Sequence, residues 1–83
     1  MIESKEQVLR QFREKAQAFV ANPSVLNGID LDDASVTLKR YALSELHDAQ
    51  MGIALGNCQK LIRSLDVAAV KRLLEEVEER LKD

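Results

Sequence analysis

The sequence predicts an all-α fold, a small helical bundle of three main helices whose second helix is long or kinked. Three observations lead to this prediction. Apolar residues recur at helical spacing in each long segment. A single proline and three glycines leave little turn material for a many-stranded β fold. Only three aromatic residues occur in a chain that is 46% hydrophobic, so the core must be mainly aliphatic. Its 83 residues are expected to form one domain over 1–83.

The first helix is predicted over residues 4–21. Ser4 and Gln7 form a capping-box pattern, in which the two side chains satisfy free backbone N–H groups of the first turn. Apolar residues follow at helical spacing on one face: Val8, Leu9, Phe12, Ala16, Phe19 and Val20. Pro23 disfavours the α conformation in the residue before it, so the helix should end near residue 21.

The connection over residues 22–32 is predicted to be packed on the domain and partly helical. Asn27-Gly28 is typical of a left-handed helix stop, so we expect one short helical turn before it. Three acidic residues follow: Asp30, Asp32 and Asp33. Their spacing lacks the glycine and the final acid of a calcium-binding loop, so we expect them to cap the next helix rather than bind a cation.

The second helix is predicted over residues 33–63, because two apolar stripes cross this segment, rotated by about 100° from each other. Residues 49–56, "AQMGIALG", are apolar nearly all round, as expected for a helix packed between neighbours. Gly52 and Gly56 stand one turn apart, which indicates a close crossing of helices or a kink. A break near Gly56-Asn57 is the alternative.

The last helix is predicted over residues 66–81, with Ser64 or Asp66 as its cap. Its apolar residues form one seam: Val67, Val70, Leu74, Val77 and Leu81. Two heptads are too few for an independent coiled coil, which usually shows three or four. We therefore expect the seam to lie partly on helices one and two of the same chain.

The charge pattern disfavours nucleic acid as a partner. The chain has 12 basic and 14 acidic residues, and no segment is basic enough for phosphate binding. Lys39-Arg40, Lys60 and Arg63 are the best candidates for a basic patch. The first residues are charged and no apolar stretch follows them, so we expect no signal peptide. No apolar stretch is of membrane-spanning length, and the single cysteine fits a reducing compartment. We expect a soluble, cytoplasmic protein with no membrane partner.

Chemistry-bearing residues are sparse, so we expect no enzyme, cofactor, metal site or small-molecule substrate. Ser44, His47 and Asp48 resemble a catalytic triad only in composition. The chain has one histidine and one cysteine, whereas zinc needs three or four ligands. We expect Cys58 to be a small buried core residue, with a redox or intermolecular disulfide role as the alternative.

In outline, a first helix followed by Asn22-Pro23-Ser24 and a helical remainder is similar to small helical-hairpin proteins of bacterial secretion systems. That likeness assigns no role to any residue. The sequence favours a non-catalytic protein–protein interaction module, such as an adaptor, a small chaperone, or an immunity- or antitoxin-type subunit. The alternatives are a transcription-associated DNA-binding domain and a small enzyme subunit whose site forms between chains.

A homodimer, or the same surface binding a different protein, is expected because helix two is apolar on two faces. The expected interface combines the all-apolar segment of helix two with the flank of the last helix. Its residues are Met51, Gly52, Leu55, Gly56 and Leu73.

Overall fold

The computed structural model describes residues 4–82, and between them the chain is helical, without strands. Its five helices are α1 (Lys5–Ala21), α2 (Val25–Ser44), α3 (Ala49–Gly56), α4 (Cys58–Arg63) and α5 (Val67–Leu81). The all-α prediction is confirmed. The prediction that the chain has no signal peptide rests partly on residues 1–3, which lie outside the described residues.

The first and last helices have the predicted bounds and caps. The Ser4 hydroxyl accepts a hydrogen bond from the Gln7 N–H group at 3.2 Å, and the Gln7 side-chain oxygen accepts one from the Ser4 N–H group at 3.0 Å. At α5, the Asp66 carboxylate accepts a hydrogen bond from the Ala69 N–H group at 3.1 Å. Both helices are therefore fixed by local signals within a few residues of their ends.

Helix α2 begins eight residues before the predicted start, at Val25 rather than residue 33. Ser24 caps it by accepting a hydrogen bond from the Asn27 N–H group at 3.2 Å. The Asn27 side chain, predicted to help end a helical turn, instead donates to the backbone oxygens of Asn22 and Ala18 at 2.9 and 3.3 Å. These bonds tie the end of α1 to the first turn of α2. Most of the predicted connection is thus ordinary helix.

Gly28 lies inside α2 and has no positive φ, so the predicted left-handed stop is wrong. A Cβ atom at this position would lie 2.7 Å from Ile62 Cγ2, closer than van der Waals contact allows. The glycine therefore permits α4 to approach α2. The prediction that Asp30, Asp32 and Asp33 cap a helix is also wrong, because Ser24 caps α2 and the aspartates lie within it.

The predicted continuous helix over 33–63 is interrupted twice. The first interruption follows Ser44: His47 has a positive φ of 51°, and the Asp48 carboxylate caps α3 by accepting from the Met51 N–H group at 3.0 Å. The second is at Asn57, where α3 passes into α4. This second break is the predicted alternative near Gly56-Asn57.

One hydrophobic core joins the helices. Helix α1 packs on α2 and α5, α2 also packs on α3 and α4, and α5 also contacts α3 and α4. The α5 seam therefore lies on α1, α3 and α4, and the last two belong to the segment predicted as helix two. Helix α5 makes no contact with α2 itself among the described residues. The core comprises Val8, Phe12, Ala16, Phe19, Leu31, Leu38, Ala42, Met51, Leu55, Cys58, Val70, Leu73, Leu74, Val77 and Leu81.

Candidate interaction face

The large apolar side chains that remain exposed are confined to one part of the described chain. All of them lie between α2 and the turn after α4, and none lies on α1 or α5. They are Val25, Leu26, Ile29, Val36, Leu43, Leu46, Ile53 and Leu65. The apolar stripes of α1 and α5 are thus covered within the chain, whereas α2 keeps apolar surface in contact with solvent.

Six residues of α2 form one continuous line, which we name the α2 face: Val25, Ile29, Asp32, Val36, Lys39 and Leu43. They are spaced alternately by four and three residues. At about 100° of rotation per residue, all six lie within about 40° of one line, and the line is about 27 Å long. Each of its four apolar members is at least 39% exposed.

The α2 face is separate from the side of α2 that faces the core. Leu31, Leu38 and Ala42 are fully buried and lie roughly a third of a turn around the helix. The apolar arc of α2 is therefore wider than the part of it that packs against the core of this chain. A helix with so wide an apolar arc normally packs against a second surface.

Helices α3 and α4 run antiparallel beside the α2 face. Gly52 of α3 lies against Leu43 near the end of α2, and Ile62 of α4 lies against Gly28 near its start. Ile53 and Leu65 are exposed at the two ends of this second row. The exposed surface is consequently two helices wide.

A shallow groove of about 400 Å³ opens between the start of α2 and the end of α4. Val25 and Ile29 line it on the α2 side, and Ile62 and Leu65 line it on the other. Asp32 is also part of its lining. The α2 face thus combines an apolar groove with an acidic side chain, that of Asp32. Lys39 adds a basic side chain two turns further along α2.

Four of the five residues predicted to form the interface are buried within the chain, and the fifth, Gly56, is exposed. Met51, Leu55 and Leu73 are at most 6% exposed, because they are part of the core of this chain. Gly52 is also buried, and a Cβ atom there would lie 2.7 Å from Leu43 Cδ2. The turn at residues 45–48 directs this side of α3 inward, so these residues leave no apolar surface for a partner.

The two glycines of the predicted crossing differ in their surroundings. A Cβ atom at Gly52 would lie 2.7 Å from Leu43 Cδ2, so the end of an α2 side chain occupies the space beside this glycine. Gly56 is exposed, and the nearest atom to a Cβ there would be Lys39 Nζ at 3.6 Å, an ordinary contact. The space beside Gly56 is therefore not closely filled.

Two of the three triad-like residues, Ser44 and Asp48, have structural partners. The Ser44 hydroxyl donates to the Arg40 backbone oxygen at 2.7 Å. The Asp48 carboxylate accepts from Arg80 Nη1 at 3.3 Å as well as capping α3. Arg80 also donates to the Gln50 side chain at 3.0 Å, so these contacts join the start of α3 to α5.

Cys58 is fully buried, as predicted. Burial raises the pKa of its thiol from 9.0 to about 11; a hydrogen bond with Ser35 lowers the pKa and the nearby charge of Asp32 raises it, both by less. Such a thiol is protonated at neutral pH and is a poor nucleophile. Among residues 4–82, no group of three or more histidine, cysteine or acidic side chains is arranged to hold a metal ion. No helix in that range is long and apolar enough to cross a membrane.

No protein-family model, curated protein or solved structure matches the chain. Its function must therefore be argued from its own residues. The α2 face is the feature that the sequence analysis missed. Its signal was present as the alternating spacing of four and three residues from Val25 to Leu43.

Proposed function

We propose that the protein is a non-catalytic protein–protein interaction module that binds through the α2 face. The observation that carries this proposal is the confinement of the large exposed apolar side chains to residues 25–65, while α1 and α5 have none among the described residues. Apolar surface that is gathered in one region, with polar groups beside it, is typical of an interaction site.

The charges of the face support a protein partner over a nucleic acid. Asp32 lies in the middle of the α2 face, and its groove is lined by one acid and one base, Asp32 and Arg63, so the groove lacks the excess positive charge that phosphate binding needs. One acid and one base within an apolar line instead match a helix that carries complementary charges.

The biological role follows from this kind of binding. An adaptor, a small chaperone, or an immunity- or antitoxin-type subunit would act by occupying a surface of its partner, without a cofactor or a small-molecule substrate. The cytoplasm is the proposed compartment, since Cys58 is a free, buried thiol.

Affinity capture from cells that produce the protein tests the proposal when wild type is compared with two matched lysine variants. Ile29→Lys changes the α2 face at a residue that is 54% exposed. Leu26→Lys changes the same helix at a residue that is 75% exposed and lies about 100° around from Val25. Circular dichroism should show that both variants are folded.

The proposal predicts that wild type and Leu26→Lys capture the same proteins and that Ile29→Lys loses them. The captured protein can be an untagged copy of the chain or a different protein. Capture that Ile29→Lys retains in full would overturn the proposal, because binding would then occur elsewhere.

A further inference from the structure

We propose that the partner of the α2 face is the α2 face of a second copy, lying antiparallel across a two-fold axis that crosses the face midway between Asp32 and Val36. This inference rests on the proposed function and deepens it by naming the partner. It moves the expected homodimer from the α3 and α5 residues, which are buried, to a surface that is exposed in the monomer.

The spacing of the α2 face is symmetric about residue 34, so an antiparallel copy meets it in register. Val25 lies opposite Leu43 of the partner copy, which gives an apolar contact near each end of the interface. Ile29 lies opposite Lys39 of the partner copy, whose aliphatic stem can cover it while the ammonium group remains in water. The same six positions of each helix are thereby used twice, as an isologous two-fold interface requires.

The charged residues favour this antiparallel arrangement. Asp32 lies level with Val36 of the partner copy, and Lys39 of the partner copy is one turn further on, about 4.5 Å along the axis. Two such acid–base pairs form, related by the two-fold axis. A parallel pairing of the two α2 helices would instead place each charge beside its own copy, and like charges side by side disfavour a pairing.

The available area is smaller than that of a standard interface. A face about 27 Å long and two helices wide, roughly 20 Å, offers about 540 Å² per copy, whereas a standard stable interface uses about 800 Å² per partner. The dimer should therefore be of moderate affinity. We expect it to dominate near 100 µM and to dissociate in the low micromolar range, about 1 µM.

Sedimentation equilibrium between about 1 and 100 µM tests the proposal on three variants and wild type. Val36→Glu places an acid beside Asp32 of the partner copy on both sides of the two-fold axis, and Val25→Lys changes an end of the interface at a residue that is 79% exposed. Leu26→Lys is the control on the same helix. We expect wild type and Leu26→Lys to approach twice the monomer mass of 9.3 kDa. The dissociation constant of the dimer should rise at least about 100-fold for Val36→Glu and about tenfold for Val25→Lys.

The outcomes separate the two proposals. If wild type remains at 9.3 kDa throughout while Ile29→Lys still abolishes capture of another protein, self-association is overturned and the interaction module stands. A dimer that Val25→Lys and Val36→Glu leave intact also overturns the α2 pairing. Val25→Lys decides between the outcomes if Val36→Glu does not fold, because Val25 is too exposed to contribute to the core.

Discussion

Alanine at Gly28 should destabilise the protein, although alanine is the better helix former by about 1 kcal/mol. The added Cβ atom would lie 2.7 Å from Ile62 Cγ2 and 3.7 Å from Phe19 Cε2. The first distance requires α2 and α4 to separate by about 1 Å, since Cγ2 is attached directly to the branched Cβ of Ile62 and cannot rotate away alone. Overpacking of this kind costs about 1–3 kcal/mol. We expect a net loss of about 1 kcal/mol.

The other two glycines are matched controls. A Cβ atom at Gly56 would lie 3.6 Å from Lys39 Nζ, so Gly56→Ala should keep the full gain in helix propensity, about 1 kcal/mol. At Gly52 the close atom, at 2.7 Å, is Leu43 Cδ2, the end of a flexible and partly exposed side chain. Gly52→Ala should therefore be close to neutral.

Thermal unfolding followed by circular dichroism, at about 1 µM to limit dimer formation, measures the three effects. For a domain of this size, 1 kcal/mol corresponds to about 4–8 °C in Tm. The expected order of Tm is Gly56→Ala above Gly52→Ala above Gly28→Ala, with Gly28→Ala below wild type. An equal rise for Gly28→Ala and Gly56→Ala would refute the close approach of α4 to Gly28.

Three further predictions concern the core, a cap and the buried thiol. Leu55→Lys should unfold the chain, since Leu55 is a core residue; a folded monomer by circular dichroism would contradict this. Asp48→Ala should lower the unfolding free energy by about 1 kcal/mol in urea, because α3 loses its cap and Arg80 a partner; an unchanged midpoint would contradict it. The Cys58 thiol, with its pKa raised from 9.0 to about 11, should stabilise the fold fully below pH 9 and progressively less up to pH 11. Relative to Cys58→Ala, wild type should lose about 2–3 kcal/mol over that range, and parallel curves would contradict the burial.

The ends of α1 and α5 could be predicted because their signals are local. Ser4 and Gln7 cap α1, Pro23 follows it, and Asp66 caps α5. Each bond joins residues three apart in sequence.

The start of α2 and the turn before α3 could not be predicted in this way. Gly28 has the local pattern of a helix stop, but the contact with Ile62, 34 residues further on, decides its role. The turn at residues 45–48 contains neither glycine nor proline, and its left-handed residue is His47. Positive φ is uncommon outside glycine, so the sequence gives little sign of it.

These two errors also explain why the predicted interface falls on buried residues. A helix predicted to begin at residue 33 excludes Val25 and Ile29, and without these two residues the α2 face is too short to be recognised as an apolar line. A helix predicted to continue past residue 44 gives no reason to direct Met51 and Leu55 inward. Apolar residues could be recognised from the sequence, but which of them remain exposed depends on the path of the chain.

The most direct test of pairing between two α2 faces is a mixing experiment with single charge reversals. Asp32→Lys places two basic residues on each α2 face, and Lys39→Asp places two acidic residues there, so each variant should repel its own copy. Their equimolar mixture should form a heterodimer, because both acid–base pairs are restored across the two-fold axis. Sedimentation equilibrium should therefore show 9.3 kDa for each variant alone and twice that mass for the mixture. A mixture that remains at 9.3 kDa, under conditions where wild type is dimeric, would contradict the account.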